Sequence, residues 1–177
     1  MKLLIHDLEA GKLEELLTNI AEDVIIVCDD KTIKNCIGCF GCWIKTPGTC
    51  IIRDNYGDMG EMMSKCDELI IISRCFYGGY SPFVKNVLDR SISYVHPDFE
   101  IRNGEMHHKR RYENKLGLNI TFYGDDITDK EKETAENLVK ANAVNLMCYI
   151  NNITFLHDVS EIKTIEVEEC KCENSSN

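Results

Sequence analysis

Residues 69–82 decide the fold, and they read Leu69-Ile70-Ile71-Ile72-Ser73-Arg74-Cys75-Phe76-Tyr77-Gly78-Gly79-Tyr80-Ser81-Pro82. The first four residues are an unbroken apolar run, which predicts a buried strand. Ser81 is a favoured helix N-cap, and Pro82 fits the first helical position, where its missing N–H costs nothing. Strand, glycine-containing loop and helix in this order are the repeating unit of a parallel α/β fold.

The same alternation continues on both sides of this unit. Further strands are predicted at four apolar runs: Lys2–Ile5, Val24–Cys28 (buried on both faces), Leu116–Phe122 and Tyr149–Phe155, the last as an edge strand. Helical spacing predicts a short helix over 12–21, and capping boxes at Asp58/Glu61 and Thr128/Glu131 predict two more helix starts. Residues 96–114 lack a clear periodicity, so they are predicted to form a polar connection.

Five strands separated by helices predict an α/β, flavodoxin-like three-layer sandwich. Its sheet would be parallel and five-stranded, in the order 2-1-3-4-5, with helices on both faces. In such sheets ligands bind outside the carboxyl ends of the strands, at the switch point beside strands 1 and 3. We predict one domain over residues 1–157, followed by a flexible acidic tail over 158–177.

Composition limits the classes of partner. The 177-residue chain has a formal net charge of −10 and a sequence pI of about 5.0, so we expect it to repel nucleic acid and anionic membranes. Its N-terminus lacks an apolar run of signal-peptide length, which predicts a cytoplasmic protein. Ten cysteines in such a protein indicate reduced thiols, metal ligation or redox chemistry rather than a disulfide scaffold.

Four of the cysteines form a compact motif, C-x2-C-x2-C-x7-C, at Cys36, Cys39, Cys42 and Cys50. This spacing lets several sulfurs converge, as an iron–sulfur cluster or a zinc ion requires. Zinc is the weaker candidate, because structural zinc sites usually pair two separated C-x2-C units. The alternative is that small residues let the loop fold closely, with the thiols packed as apolar groups.

Two other stretches have a functional and a structural interpretation. The loop over 73–80 offers aromatic rings and backbone N–H groups suited to a planar heterocycle, or its aromatic residues simply pack on the sheet. The basic run His107-His108-Lys109-Arg110-Arg111 is either a solvated loop or part of a flap over a cofactor or towards a neighbouring subunit.

Residues 73–90 resemble, without a gap, the ring loop and following helix of flavodoxin-like NAD(P)H-dependent FMN reductases. The cysteine motif and the following Asp58-Met59 are similar to the iron–sulfur flavoprotein branch of that family, which carries a motif of the same type. The resemblance is strong over 24–95. It implies an FMN-binding oxidoreductase or electron carrier that uses NADH or NADPH as electron donor and a small molecule or protein as acceptor.

The resemblance also implies which residues hold the cofactors. One side of the flavin would contact Arg74, Cys75, Phe76, Tyr77 and Gly78, and the other side Tyr123 and Gly124. A [4Fe–4S] cluster would be held by Cys36, Cys39, Cys42 and Cys50. Lys85, Asp89 and Arg90 match the family, but an i,i+4 pair of Lys85 with Asp89 explains the first two. Such proteins are often homodimers or homotetramers, which we expect here.

One stretch departs from the family. Where the family's phosphate loop carries hydroxyl side chains, residues 6–12 are shortened and contain Asp7 and Glu9. Carboxylates beside a phosphate dianion repel it. Arg74 also replaces the family's proline in the ring loop. The alternative hypothesis is therefore a non-catalytic flavodoxin-like protein that has lost the FMN phosphate site and acts as a metal or redox sensor or as an interaction module.

Overall fold

Strands and helices alternate through residues 1–16 and 23–162, which the computed structural model describes. The strands are β1 (Lys2–His6), β2 (Val24–Val27), β3 (Glu68–Arg74), β4 (Val95–Arg102), β5 (Glu105–Arg110), β6 (Gly117–Tyr123) and β7 (Tyr149–Leu156). The helices are α1 (Lys12–Leu16), α2 (Gly41–Ile44), α3 (Met59–Ser64), α4 (Pro82–Arg90) and α5 (Asp129–Leu146). Two short 3₁₀ turns lie at Ser91–Tyr94 and Val159–Glu161.

Five strands form one sheet in the order β2-β1-β3-β6-β7. Every neighbouring pair in it is parallel, and Leu3 of β1 pairs with Ile25 on one side and Leu69 on the other. Since β6 and β7 are the fourth and fifth predicted strands, the predicted order 2-1-3-4-5 is confirmed. The carboxyl ends of β1, β3 and β6 therefore meet at one edge of the sheet.

Apolar side chains cover both faces of this sheet unequally. The larger core packs one face, including Leu3 and Ile71, against α3, α4 and α5. The smaller core joins Leu4, Ile70 and Ile72 on the other face to α1 and the loop before it. Both cores arise because side chains alternate across a strand, so each buried strand serves two layers.

Residues 95–110 form an antiparallel hairpin, β4–β5, so the prediction of a polar connection there was wrong. Its arginines are anchored to the C-terminal end of α5: Arg102 Nη1 donates to the Val144 carbonyl at 3.1 Å and Arg110 Nη2 to the Met147 carbonyl at 3.4 Å. Cations at a helix C-terminus are favoured by its dipole and by its unpaired carbonyls. The basic run thus has structural partners within the chain.

Two local predictions were also wrong. The strand β2 lies at the sheet edge, with Ile26 40% exposed, so it is not buried on both faces. Asp58 makes no side-chain hydrogen bond at the start of α3, so its expected capping box is absent. By contrast, Ser81 caps α4 and accepts the Val84 N–H at 3.4 Å.

Parts of two predictions lie outside the described residues. Of the helix expected over 12–21, Lys12–Leu16 is described, and of the expected tail, residues 163–177 are not. Ile162 is buried in the smaller core, so ordered packing continues past residue 157; the proposed domain boundary stays a prediction. No helix among the described residues is long and apolar enough to cross a bilayer.

The capping box of α5 gives a direct stability test. Thr128 Oγ1 accepts the Glu131 N–H at 3.3 Å, and Glu131 Oε2 accepts the Thr128 N–H at 2.9 Å. We expect Thr128→Ala to lower the free energy of unfolding by about 1 kcal/mol in urea denaturation. Glu133→Ala, on an exposed part of the same helix, should change it by less than about 0.5 kcal/mol; equal effects would contradict a role for the cap.

Candidate functional site

The four cysteines of the compact motif line a single cavity of about 420 Å³ between the long loop after β2 and the end of α4. This volume lies within the range of about 300–1,000 Å³ found for small-molecule and cofactor sites. Cys42 is buried, Cys50 is partly buried, and Cys36 and Cys39 are exposed. The structure thus brings together all four residues that were predicted as ligands.

The loop that carries these cysteines, residues 28–58, is held in shape by backbone geometry. Gly38 and Phe40 both adopt positive φ, 62° and 57°, which turns the chain between successive cysteines. The short helix α2 then begins at Gly41, where an added Cβ would lie 2.7 Å from the Ile51 side chain. A loop of this length without much regular structure is usually functional.

Trp43 joins this loop to the β4–β5 hairpin. Its indole N–H lies 3.1 Å from the Val95 carbonyl and 3.3 Å from that of Ile92. Its ring contacts Phe40 on one side and His108 of the hairpin on the other, with centroid distances of 5.5 and 4.8 Å. The hairpin therefore buttresses the cysteine cavity instead of covering the sheet edge.

Arg90, the last residue of α4, forms a buried ion pair with Asp54. The two side chains are 0% and 1% exposed, and the pair is bidentate, with Nη1–Oδ2 at 2.6 Å and Nη2–Oδ1 at 2.9 Å. The same guanidinium donates to the carbonyls of Lys34 at 2.8 Å and Ile52 at 3.4 Å. Lys34 precedes the first cysteine of the motif and Ile52 follows the last, so Arg90 fixes both ends of the cysteine loop.

Asp54 has further donors, because it accepts the backbone N–H groups of Lys34 and Tyr56, each at 3.0 Å. Burial opposes its ionisation, but the hydrogen bonds from Arg90 and these N–H groups lower the pKa of Asp54. A lowered pKa means that this stabilisation is present above the ordinary value of about 3.9 and is lost as pH falls through the folded-state value.

The Cys42 thiol is unfavourable as an anion in this loop. Burial and the neighbouring thiols, Cys50 foremost, raise the pKa of Cys42. Such a thiol stays protonated at neutral pH unless a cation displaces its proton. Within residues 1–16 and 23–162, no three Cys, His, Asp or Glu side chains are grouped to hold a single metal ion.

The predicted flavin residues lie at the carboxyl ends of β3 and β6. Arg74, Cys75 and Gly124 line a shallow cavity of about 220 Å³, together with Asp125, Asp126, Ile127 and Glu131. The Cys75 N–H donates to the Tyr123 carbonyl at 2.9 Å, which aligns the two loops. The cavity is smaller than a usual cofactor site, and its carboxylates make it acidic.

The rest of the ring loop is a tight turn. Phe76 and Gly79 exchange both backbone hydrogen bonds, at 2.9 and 2.8 Å, and Tyr77 and Gly78 between them have φ of 51° and 76°. Two positive φ values at the centre define a type I′ turn. Tyr77 is left 90% exposed, whereas Tyr80 is 7% exposed and stacks on Phe122. Tyr80 thus packs the loop on the sheet, and the turn presents Tyr77 to solvent.

Asp7 connects three strand ends at this edge. Its carboxylate accepts the Arg74 N–H at 2.9 Å and the Tyr123 hydroxyl at 3.0 Å. Burial and the adjacent Asp7 charge raise the pKa of Tyr123, so the phenol keeps its proton and remains a donor. A negative group therefore lies at the switch point, where the loops after β1, β3 and β6 meet.

Two N–H groups of the loop after β1 are used within the fold. The Asp7 N–H donates to the Ile72 carbonyl at 3.3 Å, and the Leu8 N–H to Nδ1 of His6 at 3.2 Å. Burial lowers the pKa of His6, which favours the neutral imidazole. Leu8 is 8% exposed in the smaller core. These donors are thus committed to the fold, and they do not form a phosphate cradle like that of helix N-terminal anion sites.

Sequence reasoning missed Arg90 and Asp54. Lys85 and Asp89 do form the expected surface pair, with Nζ 2.6 Å from Oδ2. Arg90, however, lies seven residues after Phe83 and three after Val87, on the apolar face of α4. A cation at that helical position indicates a buried partner, and this signal was available in the sequence.

No protein-family model matches the chain. An iron–sulfur flavoprotein of Methanocaldococcus jannaschii is 35% identical over 95 residues, which are 51% of this chain and 48% of that protein. An iron–sulfur flavoprotein of Archaeoglobus fulgidus is 32% identical over 96 residues, 50% of this chain and 46% of that protein. The chain thus spans about half the length of the curated relatives it matches.

Solved structures agree on the fold. The Trp repressor binding protein of Bacillus subtilis has a TM-score of 0.50 and 13% identity, over 92% of this chain and 90% of that one. An FMN-dependent NADH-azoreductase of Bacillus anthracis, solved in complex with FMN, has a TM-score of 0.51 and 11% identity, over 91% of each chain. The protein has the flavodoxin-like fold of NAD(P)H-dependent FMN reductases, with distant similarity to iron–sulfur flavoproteins over half its length.

The Arg90–Asp54 pair predicts a large mutational effect. Arg90→Ala leaves a buried carboxylate without its cation, so we expect the free energy of unfolding to fall by about 3–5 kcal/mol. Lys85→Ala removes the exposed pair on the same helix and should cost about 0.5 kcal/mol or less. Urea denaturation followed by circular dichroism measures both; similar losses in the two variants would contradict the role given to Arg90.

Proposed function

We propose that this chain is an electron-transfer flavoprotein of the NAD(P)H-dependent FMN reductase type, with an iron–sulfur cluster in the four-cysteine cavity. The observation that carries this proposal is the convergence of Cys36, Cys39, Cys42 and Cys50 on one cavity. Its acceptor would be a small molecule or a protein, and NADH or NADPH its donor.

The cavity suits a cluster better than a single ion. A zinc ion needs all its thiolates about 2.3 Å from one point, and the described residues contain no such grouping. A [4Fe–4S] cluster takes its four cysteines from the walls around it, and the thiols here line a space of about 420 Å³. When bound, such a cluster accepts and donates single electrons. The chain would hold it by the four thiolates and shield it with Trp43 and Phe40.

The described residues suit the ring of FMN and its phosphate unequally. Backbone groups of the ring loop and of Gly124 lie at the sheet edge where a flavin ring would lie, and Tyr77 is exposed beside them. In the loop after β1 the N–H groups of Asp7 and Leu8 are already bonded within the fold, and the Asp7 carboxylate places a negative charge there. The described residues therefore fit the ring but not the phosphate, and we assign no reaction step to the flavin.

The position of the Asp7 carboxylate at the sheet edge also favours a second function. If its carboxylate takes the place of the phosphate permanently, the chain would keep the fold and the cluster without a flavin. It would then act as a metal or redox sensor, or as an interaction module, as the acidic loop first indicated.

Spectroscopy of the chain, purified without oxygen or reconstituted with iron and sulfide, tests the cluster. We expect a broad brown absorption and bound iron in the wild type, because four thiols line one cavity. Cys39→Ser should lose both. Cys28→Ser changes an exposed thiol outside the cavity lining, so it should keep them. A colourless, iron-free wild type would refute the cluster, and so would an iron content that Cys39→Ser leaves unchanged.

Titration with FMN, followed by flavin fluorescence, tests the flavin site. We expect Asp7→Asn to bind FMN more tightly than the wild type. One charge pair at 4 Å contributes about 1 kcal/mol even in water, or roughly fivefold in affinity. Glu133→Gln removes one negative charge on α5 and serves as the control for net charge.

The outcomes separate the two functions. Tighter binding by Asp7→Asn alone supports a flavin at this edge. If neither the wild type nor Asp7→Asn binds FMN while the cluster forms, the flavin-free function is the correct one. Equal tightening by Asp7→Asn and Glu133→Gln would show that Asp7 has no local effect.

A further inference from the structure

Arg90 has one donor that the fold leaves unused. A guanidinium has five N–H groups, two on each Nη and one on Nε. The Nη groups donate to Asp54 Oδ1 and Oδ2 and to the carbonyls of Lys34 and Ile52, which accounts for all four of their hydrogens. Among the described residues the buried Nε has no hydrogen-bond acceptor. A buried donor left without a partner costs about 1–3 kcal/mol, so this arrangement needs an explanation.

The last cysteine of the motif lies at the same cavity as this donor. Arg90 and Cys50 both line the 420 Å³ cavity. Burial alone would lower the pKa of Arg90, but its hydrogen bonds to Asp54 raise it, as does the negative charge that Cys50 carries when ionised. The guanidinium therefore stays charged at the wall of the cavity that Cys50 also lines.

The strength of a hydrogen bond from Arg90 to the Cys50 sulfur depends on whether that sulfur is a thiol or a thiolate. A neutral thiol is a weak acceptor, and a hydrogen bond to an ionised acceptor is roughly twice as strong as one between neutral groups. Because Asp54 already neutralises Arg90, the contribution to a cluster would come from a directed N–H rather than from net positive charge. Hydrogen bonds to the sulfurs are one of the features that set cluster potentials.

We propose that Arg90 is a positioning residue for the cluster: its Nε–H donates to the Cys50 thiolate, while its Nη groups hold the two ends of the cysteine loop. The inference rests on the proposed function, since it requires a cluster in the cavity. It assigns to one buried side chain both the shape of the ligand loop and part of the electrostatic environment of its sulfurs.

Redox titration of the reconstituted 177-residue chain, followed by electron paramagnetic resonance, tests this role. Arg90→Lys keeps a positive charge but lacks Nε and the fork, so the more negative reduced cluster loses a stabilising donor. We expect the midpoint potential to fall by about 59 mV, which is a tenfold change in the one-electron equilibrium. Asp54→Asn leaves the guanidinium charge uncompensated, and the potential should rise. Glu133→Gln should leave it unchanged.

The opposite shifts in midpoint potential expected for Arg90→Lys and Asp54→Asn separate this role from a merely structural one. If Arg90 only shapes the loop, both variants lose iron, and the clusters that do form have the wild-type potential; that result overturns the inference and leaves the proposed function standing. A wild type that takes up no iron refutes the proposed function, and the inference with it.

A measurement on the wild type covers the case in which the variants do not fold. With ¹⁵N-labelled arginine, pulsed electron paramagnetic resonance of the reduced chain should detect a ¹⁵N coupling to the cluster, because Arg90 is the arginine that lines the cavity among residues 1–16 and 23–162. Absence of that coupling in a protein that carries a cluster overturns the inference.

Discussion

The buried ion pair of Arg90 and Asp54 is the constraint on which the candidate site depends. Both side chains are almost fully withdrawn from solvent, a state that is tolerated when the two charges are paired and well hydrogen-bonded. Here the carboxylate accepts four hydrogen bonds and the guanidinium reaches the backbone on either side of the cysteine motif. A long loop would otherwise pay a large conformational entropy; this pair ties its two ends to the end of α4, a helix packed in the main core.

The two candidate cofactor sites differ in the charges of the side chains that line them. Around the cysteines, a guanidinium and two aromatic side chains form a wall that can receive negative sulfur ligands. At the switch point of the sheet, Asp7 already satisfies the Arg74 N–H and the Tyr123 hydroxyl, and the adjacent cavity is lined by further carboxylates. A dianionic phosphate is disfavoured at the second place by these like charges. The protein therefore combines a loop that brings four cysteines to one cavity with a crevice at the sheet edge whose carboxylates depart from the usual pattern of its fold.

Much of the architecture could be predicted because it depends on short-range patterns. The unbroken run at Leu69–Ile72, the Ser81–Pro82 helix start and the Thr128–Glu131 capping box each correspond to an observed element. The hairpin over residues 95–110 was missed because its anchors are distant: its arginines bond to the end of α5, and the His108 ring packs against Trp43 at a tilt. In the same way, the edge position of β2 depends on which strand it pairs with, and its composition resembles that of a central strand.

Residue order alone established the alternation of strands and helices, the order of the sheet and the grouping of the four cysteines, because hydrophobic periodicity and close spacing are local properties of a chain. The tertiary structure decided which side chains pair with each other. It placed Arg90 against Asp54, 36 positions away in sequence, and Asp7 against Tyr123, 116 positions away. Charges find their partners through the packing of whole elements, since a buried charge is stable only where the fold supplies an opposite charge and hydrogen bonds in place of water.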